Sequence, residues 1–228
     1  MVGILDSGMG GIAALGFLRG LSPTCDAVIL ADRENAPYGT KSKSELIPII
    51  IRGIEKIRSY GADTVLIACC TASAVFDGIP EKYKHGVFPI IRHVAEEACR
   101  ISTGGKIGVI STEATRRSGR FVSDIRSLRD DAEVFSVSSG KLVSMAESGA
   151  ADGNLTAFEK EAVRCEIAPL IGLGIDTVIL GCTHFSFFEK TIENMLGVRA
   201  VNSARIGAEM LNKKITPDLF GEGRTVYI

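Results

Sequence analysis

The sequence lacks several features that assign proteins to well-known classes. Its charges balance, with 26 basic against 27 acidic residues, which excludes the basic footprint typical of proteins that bind nucleic acid or an anionic membrane. Its apolar runs are all shorter than the roughly 20 residues that a membrane-spanning helix requires. The N-terminus enters a strand at once, without the basic segment and long apolar core of a signal peptide. These absences predict a cytoplasmic enzyme or binding protein.

The cysteines lack the spacing of a structural zinc site. No Cys-x-x-Cys pair occurs and no His-x(3–5)-His accompanies the thiols, so we expect no metal. In a reducing compartment most of them would be buried thiols that pack as small hydrophobes. The six are Cys25, Cys69, Cys70, Cys99, Cys165 and Cys182.

Apolar runs alternate with amphipathic stretches along the chain, which predicts an α/β fold. Hydrophobic residues make up 46% of the sequence and charged residues 23%, as in ordinary globular proteins. The predicted strands are apolar throughout rather than alternating, which is typical of a buried, mainly parallel sheet flanked by helices. In the second half we expect a helix over 118–128 and only a short connection over 139–148.

One strand occurs twice. The segment 63–69, Asp-Thr-Val-Leu-Ile-Ala-Cys, returns at 176–182 as Asp-Thr-Val-Ile-Leu-Gly-Cys, 113 positions later. The repeat predicts two similar α/β domains with a site in the cleft between them. We place the first domain at 1–94 plus 205–228 and the second at 95–204.

Polar residues follow the predicted strands where each strand ends. In open parallel sheets, ligands bind outside the carboxyl ends of the strands. Each such residue alone is typical of a turn or a helix cap, but together they predict a site. They are Asp6, Ser7, Asp32, Cys69, Thr71, Ser111, Thr112, Cys182, Thr183 and His184.

Cys69 and Cys182 could form a disulfide, ligate a metal, be buried thiols, or act as two catalytic groups. Acyl transfer needs one nucleophile with a base, so a second thiol would be redundant. Two thiols on opposite sides of a substrate suit proton transfer at a carbon, because one can remove a proton and the other can return one to the opposite face. Asp6, His184 and Glu147 are candidate neighbours that tune these thiols.

The glycine segment 8–13 offers a different hypothesis. It fits G-x-G-x-x-A after a strand, and Asp32 closes the next strand about 20 residues later, as in a dinucleotide-binding fingerprint. That pattern would predict a dinucleotide-dependent oxidoreductase. Alternatively, the helix start could hold a carboxylate.

Several motifs together resemble the glutamate racemase family, which includes cofactor-independent aspartate racemases. The resemblance rests on the segments 6–11 (Asp-Ser-Gly-x-Gly-Gly), 37–42 (Pro-Tyr-Gly-Thr-Lys-Ser), 68–73 (Ala-Cys-x-Thr-Ala-Ser), 142–149 and 181–184 (Gly-Cys-Thr-His). It implies interconversion of L- and D-glutamate without a cofactor, supply of D-glutamate for cell-wall peptidoglycan, and a homodimer.

The resemblance also implies roles for single residues. Cys69 and Cys182 correspond to the two acid/base thiols, with Asp6, Glu147 and His184 assisting. The residues implied to contact the substrate are Asp6, Ser7, Tyr38, Gly39, Cys70, Thr71, Thr183 and His184.

Two segments depart from the family pattern. Cys70 stands where the family usually has an asparagine, and a thiol is a weaker donor and acceptor than an amide. Residues 91–94 read Ile-Arg-His-Val instead of Ile-Glu-Pro-Gly. A racemase of aspartate or another amino acid, and a non-catalytic amino-acid-binding protein, are therefore alternatives.

Overall fold

The computed structural model describes residues 1–228, apart from the side chain of Asp218. Its strands are β1 (Val2–Asp6), β2 (Ala27–Ala31), β3 (Thr64–Ile67), β4 (Val87–Pro89), β5 (Lys106–Ser111), β6 (Glu133–Ser138), β7 (Thr177–Gly181), β8 (Arg199–Asn202) and β9 (Thr225–Tyr227). Its α-helices are α1 (Gly10–Leu21), α2 (Lys43–Ser59), α3 (Cys70–Ala74), α4 (Glu81–Lys84), α5 (Ile91–Ile101), α6 (Glu113–Ser118), α7 (Arg120–Leu128), α8 (Gly140–Glu147), α9 (Ala157–Ile167), α10 (Glu189–Leu196) and α11 (Ser203–Asn212).

The strands form two sheets. The first has the order β4-β3-β1-β2-β9 and the second the order β6-β5-β7-β8, and every neighbouring pair is parallel. Strands β1 and β7 are buried along their whole length, which explains why they are apolar except for Asp6 at the end of β1 and Thr177 at the start of β7. The predicted α/β class with mainly parallel sheets is confirmed.

One hydrophobic core joins the two sheets. Val2 and Ile4 of β1 and Ile107 and Val109 of β5 belong to the same buried cluster, together with residues of α1, α5 and α11. The other face of each sheet has its own cluster, which α2 covers on the first sheet and α8, α9 and α10 cover on the second. The two copies of the repeated strand, β3 and β7, therefore lie on opposite sides of this shared core.

Local capping fixes where α2 begins. Ser42 is its N-cap: the Ser42 hydroxyl accepts from the Glu45 backbone N–H, and the Glu45 carboxylate accepts from the Ser42 backbone N–H. This reciprocal capping box satisfies two free N–H groups at the helix start. Pro48 lies within the helix near its beginning.

The structure corrects two segments of the second half. Residues 139–148 are not a simple connection, because Ser139 caps helix α8 by accepting from the Leu142 N–H. The predicted helix over 118–128 is α7, but it begins only at Arg120, because Gly119, with φ of 64°, separates it from a preceding helix, α6. A residue in this left-handed conformation ends a helix, and glycine adopts it without a steric penalty.

The predicted domain limits do not coincide with element ends. The limit between 94 and 95 falls inside α5, and the limit between 204 and 205 falls inside α11. Strand β9 pairs with β2, so the tail of the chain lies in the first sheet. The division into 1–94 plus 205–228 and 95–204 stays a prediction.

None of the described helices combines the length and the apolar composition needed to cross a membrane.

Candidate active site

A cavity of about 390 Å³ lies between the carboxyl ends of the two sheets. It is bounded by residues that follow β1, β3, β5 and β7, as expected for a ligand site on parallel sheets. Its lining consists of Ser7, Pro37, Tyr38, Gly39, Thr40, Cys69, Thr71, Thr112, Glu113, Gly140, Val143, Ser144, Cys182, Thr183 and His184. Both candidate thiols thus open into one space, each delivered by a copy of the repeated strand.

Cys69 sits at the turn between β3 and α3. It is the N-cap residue of α3, is 6% exposed, and its Sγ lies 3.6 Å from the Ser7 hydroxyl. Burial and the neighbouring Asp6 carboxylate together raise the pKa of the Cys69 thiol to about 11, against hydrogen bonds that lower it. At neutral pH Cys69 is therefore a thiol.

Cys182 is the first member of a chain of side-chain contacts that continues through His184 to Glu147. Its Sγ lies 3.6 Å from Nδ1 of His184, and Nε2 of His184 lies 2.5 Å from Oε1 of Glu147. When the Nε2–H group of His184 donates a hydrogen bond to the Glu147 carboxylate, Nδ1 carries no hydrogen and can accept from the Cys182 thiol. Burial raises the pKa of Cys182 well above its ordinary value, so this thiol is also protonated in the free protein.

Glu147 anchors this chain from α8. Burial alone would raise its pKa, but hydrogen bonds from His184 and from the Met9 backbone N–H outweigh burial and hold the pKa below its usual range. Glu147 therefore stays ionised at neutral pH. A fixed carboxylate stabilises an imidazolium at His184 whenever the thiol proton moves there.

Asp6 lies behind the cavity wall and is fully buried. Its Oδ1 accepts from the Gly8 N–H at 3.0 Å, and its Oδ2 accepts from the Thr183 hydroxyl at 3.0 Å. Burial raises the pKa of Asp6, although nearby His184 and these hydrogen bonds oppose the effect. A buried carboxylate with a raised pKa is a better proton acceptor than an exposed one, and it stands beside Cys69.

The glycine loop serves contact between the two sheets. A Cβ at Gly8 would lie 2.6 Å from Oε1 of Glu147, and a Cβ at Gly10 would lie 2.5 Å from Cβ of Thr183. Only glycine allows the backbone of this loop to touch residues that come from the second sheet. The Asp6 carboxylate accepts from the Gly8 N–H and lies against Gly10 and Gly11, so the start of α1 already faces an anionic group of the protein.

Asp32 has a structural role of its own. It accepts from the Tyr38 hydroxyl at 2.6 Å and from the Asn35 amide at 2.9 Å. These hydrogen bonds hold Tyr38 in the cavity wall. The following Gly39 packs on Thr112 of the second half, so that a Cβ added at Gly39 would lie 3.3 Å from the Thr112 Cβ. The hydrogen bonds to Tyr38 and Asn35 account for a carboxylate at the end of β2 without a bound ribose. The glycine loop and Asp32, the two features that suggested dinucleotide binding, therefore both have structural roles instead.

The hydroxyls of three threonines, Thr71, Thr112 and Thr115, lie close together beside the cavity. The Thr71 hydroxyl lies 3.0 Å from that of Thr112 and 3.1 Å from that of Thr115. The Thr71 hydroxyl lines the cavity and can donate a hydrogen bond to a bound carboxylate. Thr115 was not predicted, and neither were Val143 and Ser144, which line the cavity because 139–148 forms α8. The N-cap serine at 139 was the signal that could have revealed it.

Cys70 differs from the expectation that it contacts the substrate. Its side chain is 2% exposed and belongs to the core shared by both sheets, outside the cavity lining. The turn after Cys69 directs consecutive residues of α3 to different sides, so Cys70 points inward beside Ser203. The Ser203 hydroxyl is the one buried side-chain nitrogen or oxygen atom that makes no hydrogen bond of normal geometry among the described residues, and its polar neighbour is the Cys70 thiol.

The cavity contains no lysine or arginine among its described lining residues. A bound carboxylate must therefore be held by hydroxyls and backbone N–H groups. Groups of three or more metal-ligating side chains do not occur in the described part of the chain.

Comparisons with known proteins support the same chemistry. The family model for Asp/Glu/hydantoin racemases matches residues 18–211. A glutamate racemase of Desulforudis audaxviator is 37% identical over 201 residues, which cover 88% of this chain and 72% of that protein. Among solved structures, glutamate racemase isoform RacE1 of Bacillus anthracis has a TM-score of 0.89 at 28% identity, covering 100% of this chain and 86% of that one. A Francisella tularensis glutamate racemase in complex with D-glutamate has a TM-score of 0.87 at 25% identity, covering 99% and 86%.

Proposed function

Because the chain belongs to the Asp/Glu/hydantoin racemase family, we propose that it is a glutamate racemase that inverts Cα with two cysteines and no cofactor. The observation that carries the proposal is that Cys69 and Cys182 reach one cavity from corresponding strands of two sheets. Each thiol also has its own proton acceptor, Asp6 on one side and His184 on the other.

The reaction needs a thiolate on one side and a thiol on the other. Both cysteines are protonated in the free enzyme, so a thiolate forms when its neighbour takes the proton. Transfer from Cys69 to Asp6 keeps the total charge of the pair at −1, so the buried region gains no charge. Transfer from Cys182 to His184 forms a thiolate and an imidazolium, which Glu147 stabilises.

The thiolate then removes the proton from Cα, and the opposite thiol donates its proton to the other face. In the direction that starts at Cys69, the turnover leaves Cys69 as a thiol, Cys182 as a thiolate and the first proton still on Asp6. The resting form returns when Asp6 releases that proton and Cys182 gains one, with no net change in protons. Both directions use the same groups, so one site serves L- and D-glutamate. The ammonium group of the substrate adds positive charge near the thiolates and lowers the cost of forming them.

Substrate contacts follow from the lining. Ser7, Thr71 and Thr183 offer hydroxyls around the thiols, and Tyr38 and Gly39 bound the far end of the cavity. Because hydroxyls and N–H groups replace cations here, we expect binding of the carboxylates to depend on several modest hydrogen bonds.

The cellular role follows from the product. D-glutamate is a precursor of peptidoglycan, so we place the enzyme in the cytoplasm, where it supplies cell-wall synthesis, and we expect a homodimer.

Proton exchange in D₂O tests the proposal directly. Incubation with L-glutamate should place deuterium at Cα and drive the optical rotation to zero. Cys69→Ala and Cys182→Ala should each stop racemisation, whereas Cys165→Ala, which removes an exposed thiol, should not. Exchange with aspartate but not glutamate would identify the alternative substrate, and binding of glutamate without any exchange would indicate a non-catalytic binding protein.

A further inference from the structure

A second groove of about 310 Å³ adjoins the cavity on the other side of Thr71. Its rim carries Lys41 and Lys43 from the start of α2, and Arg117 from α6 of the second half. Its lining also includes Leu46, Val75 and Ala114, which form an apolar floor. We call it the lysine groove.

The charge of the lysine groove is one-sided. Its described lining contains three cations and no carboxylate, in contrast to the cavity, which contains Glu113 and no lysine or arginine. Within the described chain, neither lysine has a carboxylate oxygen within 4.0 Å, while Arg117 contacts Glu113 at 2.7 Å. Glu45, the acidic residue nearest Lys41 in sequence, is already engaged by the Ser42 backbone N–H and hydroxyl.

We propose that the lysine groove binds a small organic phosphate. Lysine ammonium groups and an arginine fork are the side chains that hold phosphate oxygens, and a phosphate carries about −1.5 to −2 charges at neutral pH. The apolar floor accommodates a short carbon skeleton beside the charged group.

The position of the groove gives such a ligand an effect on the cavity. Lys41 and Lys43 belong to the first half and Arg117 to the second, so a phosphate between them links the two halves. The linkage runs beside Thr71, whose hydroxyl contacts Thr112 and Thr115 on the cavity side. A bound phosphate therefore holds the halves in one relative position without occupying the substrate's place.

Calorimetric titration with inorganic phosphate and with glycerol phosphate tests the proposal, with glycerol and matched sodium chloride as controls. Both phosphates should bind, glycerol phosphate more tightly, and glycerol should not. Lys43→Gln and Arg117→Gln should each weaken binding about tenfold, the size expected for one charge-assisted contact. Arg126→Gln, which removes an exposed charge on α7, should leave binding unchanged.

A thermal-shift and a kinetic measurement complete the test. Saturating glycerol phosphate should raise Tm by about 2–4 °C, and the shift should disappear in Lys43→Gln. Absence of binding, or binding unaffected by Lys43→Gln and Arg117→Gln, would overturn the proposal. So would inhibition that added glutamate relieves, because it would place the phosphate in the cavity. Binding is measured without turnover, so this result is separate from the identity of the racemase substrate.

Discussion

Gly10→Ala should disable the site while leaving the protein folded. An added Cβ at Gly10 would overlap the Thr183 hydroxyl and lie 2.5 Å from its Cβ. Carbon atoms pack at about 3.5–4.0 Å, so Thr183 or the start of α1 must move by ~1 Å or more. That movement breaks or lengthens the hydrogen bond from Thr183 to Asp6.

The expected size follows from two effects. Overpacking of this kind costs about 1–3 kcal/mol of stability, which a marginally stable protein of this size tolerates. A displacement of about 1 Å in a catalytic arrangement costs on the order of 10²-fold in rate. We therefore expect kcat/KM to fall about 10²-fold, with Tm lowered by a few degrees.

The same helix offers a matched control. Gly16 is exposed on α1, and a Cβ there would meet nothing within 4 Å. Gly16→Ala should raise the free energy of unfolding by about 0.5–1 kcal/mol through helix propensity and leave kcat/KM unchanged. Racemisation assays and thermal unfolding of both variants decide the matter. Wild-type activity in a folded Gly10→Ala variant would refute the claim that the site depends on close approach of this loop to Thr183.

Three further predictions concern single residues. Ser203→Ala should stabilise the protein by about 1 kcal/mol in urea unfolding, because it removes a buried hydroxyl without a described hydrogen bond. Ser73→Ala should destabilise the protein, because the Ser73 hydroxyl donates to Ile67 O and accepts from Ile90 N. Equal effects of the two substitutions would contradict this. Glu147→Gln should lower kcat more than it changes KM, since it removes the charge that stabilises an imidazolium at His184, and an unchanged pH profile of kcat would argue against that role. Arg224 lowers the pKa of Asp26 from 3.8 to about 2, so this contact adds stability above pH 3.8 that is lost as the pH falls towards 2. Arg224→Gln should therefore reduce the loss of unfolding free energy between about pH 4 and pH 2. An identical loss in the variant would exclude the contact as its source.

Much of the site was predictable because it lies at strand ends. An apolar run followed by a polar residue marks the carboxyl end of a buried strand, and this located Asp6, Cys69 and Cys182 correctly in the chain. The repeat at 113 positions then predicted that both thiols occupy corresponding places. The structure brings them to one cavity, although their catalytic roles stay a prediction.

What the sequence did not reveal depends on orientation and on distant neighbours. The Cys70 side chain points into the core that both sheets share, and this direction depends on how α3 packs there, which residue order alone does not encode. The contact of Thr71 with Thr115 depends on the distance between the two halves. Helix α8 has only two fully buried residues, Leu142 and Ala146, which is too short a pattern to distinguish from a loop.

The raised pKa values of the two buried thiols have a consequence beyond catalysis. Oxidants and alkylating electrophiles react with thiolates, and a protonated, enclosed thiol is a poor target for them. Protonation therefore makes both sulfur atoms poor targets for such reagents in the free protein. The exposed Cys165 is the more accessible target for a modifying reagent. If the two thiols act as proposed, they would be open to attack only during turnover, in the brief interval in which one of them has given up its proton.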